Sequence, residues 1–155
     1  PAEPLPHEEY AEEMIKQGAI PPGMLHIRDR RYILRPEAIE SVFYLYRITG
    51  SPHWRDAGWR MFQAIDAHTR TKYGHSAISD VTRPLPKKKP SPTTAEEEDE
   101  DEGTPGYQAF WQNNMESFWT AETLKYFYLL FADEGEISLD EWVFNTEAHP
   151  FRRPT

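Results

Sequence analysis

Three short stretches of this chain carry side chains that could move protons, hold hydroxyl groups or grip a cation. The first is Leu34-Arg35-Pro36-Glu37, which sets a guanidinium and a carboxylate at the head of a long apolar and aromatic run. Proline has its φ already near the helical value and no N–H to waste, so Pro36 suits a first helical position with Glu37 in the first turn. From there Ile39, Val42, Phe43, Tyr46 and Arg47 recur at helical steps and should pack, while Glu40 and Tyr44 fall near Glu37 on the opposite face. Two carboxylates and a phenol on one face suit proton transfer. The plainer alternative is a pair of acids complementing a helix dipole.

The second stretch, Met115 to Phe131, is apolar on nearly every side, the pattern of a helix running through a large core. Phe118, Glu122 and Tyr126 recur at steps of four and should share one stripe, with a carboxylate between two rings. Ring faces cover the apolar side of a pyranose while carboxylates hold its hydroxyls. A Glu122 to Lys125 pair on a wetted stripe is the structural alternative. The third stretch, Val143-Phe144-Asn145-Thr146-Glu147-Ala148-His149-Pro150, is rich in polar groups for a segment so near the end of the chain. Thr146 offers a hydroxyl and a backbone carbonyl, oxygen ligands of the kind Ca²⁺ accepts, with waters or sugar hydroxyls completing the shell. A capping turn before Pro150 is the alternative here.

Taken in order, the stretches LRPEAIESVFYLYRITG, WRDAGWRMFQAIDAHTRTKYGHSAISDV, NMESFWTAETLKYFYLLF and SLDEWVFNTEAHP resemble the C-terminal part of the class I α-1,2-mannosidases, glycoside hydrolase family 47. The resemblance covers most of residues 32 to 151, and ordered blocks of this length are far more specific than a short pattern. It implies an all-α chain with a small β-hairpin, the C-terminal portion of an (α/α)7 barrel that is incomplete on its own. It also implies Ca²⁺ at the pocket floor and inverting hydrolysis of terminal α-1,2-linked mannose on high-mannose oligosaccharides or glycoproteins. Residue by residue, Glu37 resembles the general base, Arg35 and Glu40 would hold the site around it, and Phe118 would stack on the mannose. Glu122 and Glu147 would bind its hydroxyls or the waters on the metal, and Thr146 would be the direct calcium ligand. Inverting glycosidases also need an acid, set about 6.5–9.5 Å from the base to admit a water. In the family that acid comes from N-terminal helices with no counterpart before Leu34, so the expected partner is the N-terminal part of the same enzyme, on the same or a separate chain.

The elements that must position these groups can be read from the punctuation. Residues 1–31 are polar and proline-bearing, with a short helical pattern from His7 to Lys16 and a turn at Pro21-Pro22-Gly23, and read as a connecting arm to the unit at 32–155. A helix is expected from about Pro52 to Thr71, with Trp54, Ala57, Gly58, Met61, Phe62 and Ile65 as its stripe and Gly58 allowing close packing. Tyr73 to Val81 has the alternation of a strand or hairpin arm. At about 83–106 the composition turns to prolines, lysines and the seven consecutive acids Glu96 to Glu102, read as a solvated, disordered insertion. An acidic metal or partner site there lacks EF-hand spacing and its glycine. Beyond it, Tyr107, Phe110 and Trp111 could cover a pocket rim or return to the core.

Composition bounds what remains. A net charge of −9 with no gathered basic face argues against nucleic acid, and no stretch approaches the length of a membrane span. With 14% aromatics, the helices ask for more covering surface than they can give one another, which again points to an incomplete unit. The six histidines show no HExxH, so zinc is not expected, and His149 reads as a hydrogen-bonded structural residue. There is no GxSxG and no Asn-x-Ser/Thr acceptor. Zero cysteines alone would lean cytosolic, whereas the resemblance implies the secretory pathway, endoplasmic reticulum or Golgi, or a secreted protein. A second function class stays open at this point: a glycan-recognition protein of quality control with little or no turnover.

Overall fold

The computed structural model describes residues 27–83 and 110–154, together with Glu9, Tyr10, Glu12, Glu13 and Lys16. Those five are helical and exposed, in agreement with the expected His7 to Lys16 helix. The turn Pro21-Pro22-Gly23, the acidic insertion beyond Arg83, and Tyr107 lie outside the described residues.

Helix α1 spans Glu37–Thr49 and begins one residue later than the sequence suggests, with Pro36 as its cap residue (φ −84°) and Glu37 and Glu40 in its first turn. It buries Ile39, Val42 and Phe43 and stops at Gly50, whose φ of 63° lets its N–H donate to the Tyr46 carbonyl. Only a residue without a Cβ takes that left-handed position cheaply. Pro52 then starts helix α2, Pro52–Thr69, which ends short of Thr71 because Arg70 turns extended. A Cβ on Gly58 would collide with Cδ2 of Leu130 and touch Ile39 and Val42. The glycine therefore does allow the close packing its place in the stripe suggested.

The stretch from Met115 to Phe131 departs from the single helix expected. A π-helical turn, Trp119–Thr123, is closed by the Leu124 N–H donating to the Trp119 carbonyl, and helix α3 follows at Leu124–Phe131. One residue added to a turn resets the phase of everything after it by roughly 100°. Phe118, Glu122 and Tyr126 consequently do not form one straight stripe. Tyr126 drops into the core at 1% exposure, packed on Phe43 and Phe144. Nor is α3 enclosed all round, since Tyr128 and Phe131 face outward.

Residues 73–81 form no continuous strand. Ile78 instead bridges Tyr32 on one side and Trp111 on the other, while His75 bridges Arg70. Ser76, Ala77 and Ile78 are buried by this double pairing. Phe110 is buried and the Trp111 indole N–H donates to the His68 carbonyl at 3.0 Å, so both return to the core rather than to an open rim. The chain closes on a hairpin, β1 Trp142–Phe144 against β2 Pro150–Arg152, with Phe144 opposite Pro150.

The core gathers Ile39, Val42 and Phe43 from α1, Tyr126, Phe127, Leu129 and Leu130 from α3, and Phe144 and Ala148 from the hairpin. Arg47 fastens the segment after α3: its guanidinium donates to the carbonyls of Leu129, Glu134 and Ile137 and lies 5.1 Å from the Phe43 ring. Along α3, Trp59, Phe62, Phe127, Tyr128 and Phe131 line an open apolar groove of about 380 Å³. These are the leftover aromatic surfaces that the composition foretold.

Candidate active site

The head of α1 presents its charges to water. Arg35 Nη1 donates to Glu37 Oε1 at 3.3 Å, and both side chains are more than half exposed. The same guanidinium lies 5.7 Å from the centre of the Phe118 ring, so one arginine touches both the first and second stretches. Glu40 is half-buried and accepts a hydrogen bond from the Tyr126 hydroxyl at 3.2 Å. Tyr44, expected on an open face with Glu37, instead packs on the core and bonds to Tyr126. Burial first and the Glu40 charge second push both phenols upward, so each stays a neutral hydrogen-bonding group near neutral pH. Nearby, the Tyr32 hydroxyl is buried without a partner among the described residues, and burial followed by the charge of Glu37 pushes it up as well.

Glu122 is where the three stretches meet. Its carboxyl is pushed above the ordinary range, first by burial, then by the charges of Glu147, Glu37 and Glu40, with Lys125 opposing. Carboxylates from the head of α1 and from the hairpin therefore both lie close enough to act on Glu122 of the π-helical turn. Lys125 does not simply pair with Glu122, since its ammonium donates to the Ala148 carbonyl at 2.7 Å and so ties α3 to the hairpin.

The hairpin connection is built on Asn145. Its Oδ1 accepts the N–H groups of Glu147 (3.0 Å) and His149 (2.9 Å), its own N–H donates to the His149 carbonyl, and Ala148 takes a left-handed φ of 55° while fully buried. A tight turn is thus present, as one sequence alternative had it, and that turn holds Thr146 and Glu147 out in solvent. The Thr146 hydroxyl makes no hydrogen bond to the described residues. The His149 ring is more than half exposed with Nδ1 3.6 Å from Glu147, so the structural hydrogen bonds come from its backbone rather than its imidazole. Among the described residues no three His, Asp or Glu side chains form a group able to hold a metal on their own. A hard cation here would rely on threonine oxygens and water, with the carboxylates acting around them.

The sequence offered Lys125 only as a partner for Glu122 and Asn145 only as one polar group of the third stretch; that both hold the hairpin in place was not read from it. The available signal was an asparagine five residues before a proline-led strand, whose side chain can accept the N–H groups two and four residues on.

The head of α1, the π-helical turn and the hairpin thus bring carboxylates, the Phe118 ring and a polar turn to one region. Residues 4–153 match the model of glycosyl hydrolase family 47, and the chain belongs to that family. It is similar to mannosyl-oligosaccharide 1,2-alpha-mannosidase MNS1 of Arabidopsis thaliana, at 43% identity over 77% of this chain and 17% of that protein. Against the endoplasmic reticulum mannosyl-oligosaccharide 1,2-alpha-mannosidase of Homo sapiens the identity is 43%, over 79% of this chain and 15% of the relative. Among solved structures, the alpha-1,2-mannosidase from Trichoderma reesei superposes with a TM-score of 0.63 at 37% identity, covering 81% of this chain and 22% of the other. The chain thus spans less than a quarter of the length of each of these relatives.

Proposed function

We propose that this chain is the part of an inverting, Ca²⁺-dependent α-1,2-mannosidase that carries the general base and the calcium ligand. The observation that carries the reading is the joint action of Glu147, Glu37 and Glu40 on Glu122, beside a Phe118 ring that Arg35 touches. Glu122 thus gathers carboxylates from two other parts of the sequence around it, the kind of environment that a bound ligand or cation would use.

In this reading Glu37, oriented by Arg35, takes a proton from the water that attacks the anomeric carbon. Phe118 covers the apolar face of the terminal mannose. Glu122 and Glu147 accept from its hydroxyls or from waters around the metal, and Glu40, held by Tyr126, keeps the second row in place. Thr146 fits the calcium through its hydroxyl and carbonyl, exposed on a turn that its neighbours have already stiffened. When bound, the cation would neutralise the carboxylates and fix sugar hydroxyls. The acid that protonates the leaving oxygen would come from the remainder of the family domain, which would also cover the groove of Trp59, Phe62 and Phe131 and complete an (α/α)7 barrel. The substrate class is terminal α-1,2-linked mannose on high-mannose N-glycans, and the setting is the secretory pathway.

The test is Glu37→Gln in enzyme assembled from this chain and the rest of the domain. Loss of a general base should lower kcat by roughly 10²–10⁴-fold. Binding of an α-1,2-mannobiose probe, followed by calorimetry, should persist. Equal loss of turnover and binding would contradict the base assignment, and undiminished turnover would overturn the whole reading.

A further inference from the structure

Leu34, the residue before Arg35, is fully buried with a φ of 66°, a left-handed conformation that a residue with a Cβ adopts only under constraint. What constrains it is on the other side of the chain. The Thr123 hydroxyl, itself fully buried, donates to the Leu34 carbonyl at 2.7 Å across a separation of 89 residues. Thr123 is the last residue of the π-helical turn and the immediate neighbour of Glu122. A single short hydrogen bond therefore spans from the turn that bears Glu122, and begins next to Phe118, to the strained residue just before Arg35-Pro36-Glu37.

We infer that Thr123 is a positioning residue, whose hydroxyl sets Glu37 in register with the sugar-holding pair Phe118 and Glu122. The inference deepens the mannosidase reading above and rests on it. Two features make this bond different from ordinary packing. Leu34 in a left-handed conformation aims its carbonyl inward, where no solvent can replace a lost donor, so the bond has no substitute. The π-helical turn is likewise an uncommon backbone state, and such turns persist where the surrounding structure over-determines them. The hydroxyl joins these two unusual conformations directly, so releasing it frees the head of α1 to move relative to the turn. Phe118 and Glu122 would still hold the sugar, because they travel with their own element. Glu37 would move away from the line of attack. The effect should consequently fall on the chemical step and not on binding, and a shift of about 1 Å in such a group can cost roughly 10²-fold in rate.

The experiment compares Thr123→Val, which keeps the shape and removes the donor, with Thr123→Ser, which keeps the donor, in the assembled enzyme. Thr123→Val should lower kcat by about 10- to 100-fold with KM for α-1,2-mannobiose within about twofold, and Thr123→Ser should recover most of kcat. A residue needed only for stability would lower the melting temperature without this split and without hydroxyl-dependent recovery. If the valine variant does not fold, Thr123→Cys takes its place, since a thiol is a much weaker donor than a hydroxyl and kcat should fall below that of the serine variant. Parental kcat in the valine variant, or equal kcat in the cysteine and serine variants, would overturn the inference. Glu37→Gln, run alongside, separates the two levels of argument. An inactive Glu37→Gln beside a fully active Thr123→Val refutes only the positioning role, whereas an active Glu37→Gln refutes the mannosidase reading itself.

Discussion

Replacing Arg47 with methionine should lower the stability of the folded unit by about 1–3 kcal/mol, a figure that follows from what its guanidinium touches. It donates to the carbonyls of Glu134 at 2.8 Å, Leu129 at 3.2 Å and Ile137 at 3.4 Å, and sits 5.1 Å from the Phe43 ring. A hydrogen bond from a charged donor contributes roughly 1.5–3 kcal/mol when the acceptor cannot turn to water. Only the Leu129 bond, part-buried at the end of α3, counts near that range. The Glu134 carbonyl is exposed and can be rehydrated, and 3.4 Å to Ile137 is too long to count fully. Adding about 0.5–1 kcal/mol for the cation over a ring gives a total near 2–4 kcal/mol. Against this, the Arg47 Nε is buried without a partner among the described residues, and its removal returns about 1 kcal/mol. Methionine keeps the stem packed, so the loss isolates the guanidinium. Urea unfolding of the chain followed by tryptophan fluorescence reads the change: with m near 2 kcal/mol per M, the midpoint should fall by about 1 M at unchanged m. Lysine in place of Arg47 keeps the charge but not the fork and should fall between the two. A methionine variant within about 0.5 kcal/mol of the parent would refute the reasoning, because that is the range of an ordinary surface change.

Glu122 should make stability depend on pH in a direction opposite to that of most acids. Its carboxyl is raised by burial and then by Glu147, Glu37 and Glu40, so the folded state disfavours the charged form. That penalty is full above the folded value and disappears as pH falls below the ordinary carboxyl value near 4.5. Glu122→Gln, in chelated protein, should therefore be more stable than the parent at neutral pH and show no advantage below about pH 4; a difference that stays constant across that range contradicts the carboxylate cluster. Thr146→Ala should weaken Ca²⁺ binding by roughly tenfold or more in the assembled enzyme, measured by calorimetric titration. Identical calcium isotherms for the two proteins would remove Thr146 from the metal site.

How much of this was legible along the chain depended on whether a feature is specified locally. Pro36, Gly50 and Pro52 act through their own backbone limits, and the ends of α1 and the start of α2 follow from them within one residue. Gly58 stood out because a helix interior normally avoids glycine, and its neighbour Leu130 supplies the reason. The π-helical turn was invisible, because Trp119-Thr120-Ala121-Glu122-Thr123 contains no breaker. It forms among tertiary contacts, with Trp119 buried against His75 and Thr123 bonded to Leu34. Tyr73 to Val81 misled for a related reason. Its alternation is real, but Ile78 pairs with Tyr32 and Trp111, one 46 residues before and the other 33 after, and such partners leave bridges rather than a strand. At the site, residue type and order pointed to Glu37, Phe118, Glu122 and Glu147, whereas the part that Lys125 and Asn145 play rests on hydrogen bonds with backbone, hinted at for Asn145 by the proline that follows and for Lys125 by nothing local.

The two faces of α3 bear on the proposal that the remainder of a family domain would complete this site. One side brings Tyr126 to Glu40 and follows directly from the turn that carries Glu122; the other lines the groove with Phe127, Tyr128 and Phe131. Water suits the carboxylates of the first side but strengthens none of their interactions, because opposing charges and dipoles act weakly at high dielectric. Water does not suit the second side, where large aromatic faces stay exposed. A covering layer of helices over the groove would bury those aromatics and, by closing around the same helix, dry the surroundings of Glu122 and Glu37. Burial that stabilises the fold and exclusion of water that sharpens acid–base chemistry would then be one event. On this view the strength of the site and the completeness of the barrel rise together, and adding the remainder of the domain should raise both the melting temperature and the rate.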